Sequence, residues 1–174
     1  MDIFNQLTPE AMAEAMTKRM EQLLANGSDD VTRLRKELEK TPEDAEMWFE
    51  LGLAYNQAGL QYDMEHEGEP LPESGEEVTL HVNVTAVRPL YEESLKAFDK
   101  VAELEPDYYG VACQKGIVYG NMHDLENAEA CYLQALKDDD EDFTAAYYLS
   151  IVYGDMGKAD LAEEYARLAE KLND

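Results

Sequence analysis

The stretch Trp48-Phe49-Glu50-Leu51-Gly52-Leu53-Ala54-Tyr55 decides the fold, because its small and aromatic positions return further along the chain at one fixed distance. Gly116 and Ser150 lie 34 residues apart, as do Tyr119 and Tyr153, Ala128 and Ala162, Ala135 and Ala169, and Val101 and Ala135. A period of about 20–50 residues marks a repeat architecture in which each unit is one supersecondary element stacked on the next. In a helical hairpin a Gly or Ala is needed wherever the two helices approach closely. Gly52, Gly116 and Ser150 fill the first such place, and Ala128 and Ala162 another. Tyr55, Tyr119 and Tyr153 supply large rings between one hairpin and the next, a column read as core packing rather than as a cofactor box.

Trp48-x-x-Leu51-Gly52-x-x-Tyr55, closed by Ser94, Phe98 and Pro106, resembles the tetratricopeptide repeat pattern. The resemblance implies an all-α fold, an α-α superhelix of about three helical hairpins. Thr41-Pro42-Glu43-Asp44 predicts the start of the first helix and Ala58-Gly59 its end. The first helices of the next two hairpins are expected near 107–122 and 141–156, and the partner helices near 90–104, 125–137 and 158–172. His123 replaces the turn glycine of the family pattern and is read as a left-handed turn residue.

Residues 1–40 read as an N-terminal helical cap or divergent repeat, its two segments opened by Thr8-Pro9-Glu10 and Ser28-Asp29-Asp30 and separated by Asn26-Gly27. Met12, Met16, Met20, Leu23 and Leu24 make one apolar stripe, and Val31, Leu34 and Leu38 the other. The expected organisation is a single domain over 1–174: a first repeat at 41–60 and 90–106, a second at 107–140 and a third at 141–174.

The first repeat is interrupted. Pro42 and Pro106 stand 64 residues apart, one period plus 30 more, so an insertion is expected over 61–89. It opens acidic and loop-like, then Val78-Thr79-Leu80-His81-Val82-Asn83-Val84-Thr85-Ala86 alternates apolar and polar residues as a half-buried strand does. A strand must pair with something. A binding or dimerising arm, an ordered lid and a linker all remain open for this segment.

Composition narrows function. Of the formal charge of −25, residues 1–40 carry −2, and residues 41–174 hold 31 acids against 8 bases. Such a field disfavours nucleic acid and anionic lipid and speeds encounter with basic partners. No segment approaches the roughly 18 apolar residues of a membrane span, and the amino terminus lacks a signal-like apolar core, so a cytoplasmic protein is expected. Cys113 and Cys131 lack CxxC spacing and read as reduced, buried residues. Asp63, Glu65, His66, Glu67 and Glu69, with His81 further on, form a poor metal grouping without EF-hand spacing or enough histidines for zinc. There is no phosphate loop and no nucleophile elbow. No enzyme, metal or cofactor is expected.

The family resemblance also implies a site. The first helices of its hairpins line a concave groove, and the positions that face it fall here on Phe49, Leu53 and Asn56, then Cys113, Ile117 and Asn121, then Tyr147, Ile151 and Asp155. This groove is apolar at its centre with polar edges, suited to a peptide or helix of another protein with basic or amphipathic character. Members that clamp chaperone tails carry Lys and Arg at these positions; none occurs here. The expected function is a non-enzymatic protein-interaction module, adaptor or chaperone-like. The alternative is a self-assembling structural protein whose insertion mediates homo-oligomerisation.

Overall fold

The computed structural model describes residues 29–65 and 84–173. Among them are the helices α1 (Asp29–Leu38), α2 (Ala45–Glu65), α3 (Val84–Leu104), α4 (Val111–Asn121), α5 (Leu125–Asp138), α6 (Phe143–Asp155) and α7 (Ala159–Leu172). The principal pairings join α2 with α3, α4 with α5 and α6 with α7. Further contacts run from α2 to α4 and from α4 to α6, so the first helices of the three hairpins stand side by side. No helix among the described residues is long and apolar enough to cross a membrane.

Each hairpin closes where the sequence places a residue without a side chain. A Cβ added at Gly52 would lie 2.7 Å from Phe98 Cε1, and one at Gly116 would lie 2.6 Å from Tyr132 Cε1. The aromatic ring of the second helix therefore sits directly on the backbone of the first. In the third hairpin Ser150 takes the glycine's place and Ala166 the ring's place, 34 residues after Tyr132. Ser94 adds a buried polar tie, its hydroxyl donating to the Gly52 carbonyl at 2.7 Å.

The turns follow local chemistry. His123 adopts φ 56° and Gly157 φ 72°, so the imidazole residue holds the left-handed turn that a glycine holds one repeat later. Asp124 and Asp142 cap α5 and α6 by accepting from Asn127 N and Ala145 N, and Asp44 accepts from Met47 N at 2.9 Å. Asp44 rather than Pro42 therefore opens α2. The Pro42 carbonyl instead accepts from Trp48 Nε1 at 2.9 Å.

Two expectations about the insertion need correction. The helix expected to stop at Gly59 runs on to Glu65, and the helix expected from 90 starts at Val84. Val84–Ala86, assigned from their β-branched alternation to a strand, are the first turn of α3. Packing overrides propensity here: Val87, Leu90, Tyr91 and Ser94 are almost wholly buried at helical spacing, and Tyr91 lies against Gly59, where an added Cβ would be 2.5 Å from its ring. Pro89 sits inside α3 and withholds one backbone donor without ending the helix. Among the described residues no strand occurs. Residues 66–83, which include Val78–Asn83 of the expected strand, lie outside the described residues, as does the first N-terminal segment. The second N-terminal segment is α1, with Val31, Leu34 and Leu38 buried against Leu51 and Tyr55.

Candidate binding groove

The positions 53, 117 and 151 fall one per hairpin on the adjacent helices α2, α4 and α6. Leu53 is 37% and Ile151 42% exposed, while Ile117 between them is half-buried. One turn further along, Asn121 Nδ2 donates to Asn56 Oδ1 at 2.9 Å, tying α4 to α2 beside the apolar strip. Asp155 is exposed at the equivalent end of α6.

The positions 49, 113 and 147 behave differently. Phe49 packs edge-on against Phe98 at 5.4 Å and against Tyr108 at 5.1 Å, which places it largely in the core. Cys113 is 4% exposed, within the core cluster of the second and third hairpins. In both cases the following hairpin supplies the cover: the loop bearing Tyr108 over Phe49, and Asp142 beside Cys113. Burial, then the Asp142 charge and hydrogen bond, push the Cys113 thiol up to about 12. Tyr147 has no such cover among the described residues and is 46% exposed. Of the nine positions, then, Leu53, Ile117, Ile151, Tyr147, Asn121 and Asp155 present surface, and Phe49, Cys113 and Asn56 are mainly internal.

Phe143 belongs beside these and is not among the residues picked from the sequence. Its ring stacks on Tyr147 at 6.0 Å and is 38% exposed. The signal was available: Phe143 and Tyr147 are four apart on one helix and share a face. The Asn56–Asn121 pair joins residues 65 apart, and no local pattern announces it.

Electrostatics around the strip are one-sided. Helices α2, α4 and α6 carry Glu46, Glu50, Asp63, Glu65 and Asp155 against a single base, Lys115. Lys115 Nζ is held by Asp99 of α3 at 2.6 Å. Away from this strip, a cleft of about 620 Å³ opens between the end of α3, α4 and α5, with Glu105, Asp139 and Asp142 among its lining. Among the described residues no group of three or more His, Cys, Asp and Glu could hold a metal ion. Asp63 and Glu65 of the weak grouping lie in α2, while His66, Glu67, Glu69 and His81 fall outside the described residues.

Comparison with known proteins follows the same lines. A model of the tetratricopeptide repeat family matches residues 113–174. Protein bimA of Emericella nidulans is 33% identical over 84 residues, covering 48% of this chain and 10% of its own, so the chain spans about a tenth of the length of this curated relative. Among solved structures, a thermophilic TPR protein of Thermus thermophilus, TTC0263, superposes with a TM-score of 0.63 at 21% identity, over 97% of this chain and 75% of that one. A point mutant of MamA gives a TM-score of 0.56 at 18% identity, over 82% and 65%. At these identities the likeness is one of fold.

Proposed function

We propose, on the premise that this chain belongs to the tetratricopeptide repeat proteins, that its concave strip holds a Lys- or Arg-bearing segment of another protein. A repeat fold of this kind is a protein-interaction scaffold, and the particular ligand is our reading. One observation carries it: Leu53, Tyr147 and Ile151 stay exposed on helices whose only base, Lys115, is already paired with Asp99. Apolar contacts on that strip would provide most of the affinity, and the surrounding carboxylates would favour basic flanks. Tyr147 and Phe143 add aromatic faces on which a Lys or Arg side chain can lie.

The experiment uses a fluorescently tagged peptide of about ten residues alternating Lys and Val, a length of extended chain that spans three adjacent helices. Its anisotropy is followed against the full chain and against Ile151→Asp and Tyr147→Ala. The reading expects saturable binding that Ile151→Asp abolishes and that Tyr147→Ala weakens by about 1–3 kcal/mol. Equal binding to all three proteins would remove the strip from consideration.

A further inference from the structure

We infer that this strip selects an extended chain over a helix, through the side-chain amide of Asn121 as positioned by Asn56; the inference rests on the reading under Proposed function. Asn56 is 7% exposed, and its only partner among the described residues is the Asn121 amide. Asn121 sits at the end of α4, one turn beyond Ile117, and keeps part of its surface in solvent. With Nδ2 committed to Asn56, the Asn121 Oδ1 has no partner among the described residues. The buried Asn56 acts as the positioning residue: it fixes the rotamer of Asn121 and leaves an oriented acceptor beside the apolar strip.

A ligand that covers Leu53, Ile117 and Ile151 takes this amide out of water. An amphipathic helix laid on the strip would face it with carbon, because its own N–H groups are spent within the helix. An extended main chain brings an unspent N–H and C=O every second residue, and so satisfies the amide in either of its two orientations. A Lys ammonium offers donors only. The pair therefore discriminates by leaving the wrong conformation with a desolvated, unpaired group, which is how a polar residue at an apolar site rejects a competitor. Charge sets the rest of the ligand's chemistry, since the helices that line the strip hold five carboxylates and one base already in an ion pair.

Three probes test this on the full chain. The first is the alternating Lys-Val peptide, the second the same peptide N-methylated at its Val residues, and the third a hydrocarbon-stapled helix of equal length and charge. The account expects the parent to bind the first at least about tenfold more tightly than the second or the third. Asn121→Leu should weaken the first about tenfold, erase the effect of N-methylation and tighten the stapled helix. The comparison of N-methylated and plain peptide uses the parent alone, so it stands even if Asn121→Leu folds poorly. Equal affinity of the parent for plain and N-methylated peptide, or tighter binding of the stapled helix, would overturn the inference while leaving the strip as a binding surface. Binding of none of the three would instead overturn the reading on which it rests.

Discussion

At the scale of single residues, the closest constraints are the glycines that meet aromatic rings. A leucine at Gly52 or Gly116 would have to displace Phe98 or Tyr132 from a place where even a Cβ lies under 3 Å from the ring. Both rings are almost wholly buried and have nowhere to go. Gly52→Leu and Gly116→Leu should each cost about 2–4 kcal/mol in urea unfolding, against little for the exposed Glu92→Gln. Cys113 makes a second prediction, about pH. Its thiol ionises near 9 when free of the fold and near 12 within it, so the folded chain holds its proton longer. The contribution is complete below pH 9 and is lost as pH rises toward 12, with the buried Tyr132 and Tyr153, also raised by burial, adding the same sign at the upper end. Melting curves should show a shallower loss of stability between about pH 9 and 10 for Cys113→Ala than for the parent.

At the scale of elements, most of the fold was legible because the 34-residue recurrence and the turn residues act locally. The helices α4 to α7 lie within a few residues of their expected bounds, since Asp124, His123, Asp142 and Gly157 write the caps and turns into the sequence. The arm formed by the end of α2 and the start of α3 was misread for a physical reason. Gly59 looks like a terminator and Val84–Ala86 look like a strand, yet Gly59 is required by the ring of Tyr91 and Val84 leads into buried Val87. Those requirements belong to a partner helix more than 25 residues away in sequence, and no window sees them. The site was half legible on the same grounds. Exposure at Leu53 and Ile151 follows from helical register, whereas the covering of Phe49 and Cys113 depends on what the next hairpin lays over them. Two glycines at the end of the third hairpin separate backbone from packing. Gly154 is helical with nothing within 4 Å of an added Cβ, while Gly157 has the same open space at φ 72°. Gly154→Ala should stabilise by about 0.5–1 kcal/mol and Gly157→Ala should destabilise by about 1–2 kcal/mol, read as shifts of the urea midpoint.

At the scale of the whole molecule, residues 41–174 concentrate 31 acids against 8 bases on a stack of helices that exposes an apolar strip. Long-range attraction and short-range contact then act on different steps of binding. Raising the ionic strength from about 0.1 to 1 M shortens the Debye length from about 10 to 3 Å, so association of the Lys-Val peptide should slow while its dissociation changes little. Tyr147→Ala should do the reverse, speeding dissociation at either salt. The central claim concerns where the ligand sits, and a methyl-labelled NMR titration of the full chain with that peptide tests it most directly. Saturating shifts are expected at the methyl groups of Leu53, Ile117 and Ile151, with Leu133 of α5 and Leu161 of α7, equally exposed apolar residues on the second helices, unmoved. Shifts confined to Leu133 and Leu161, with the three strip residues silent, would contradict it.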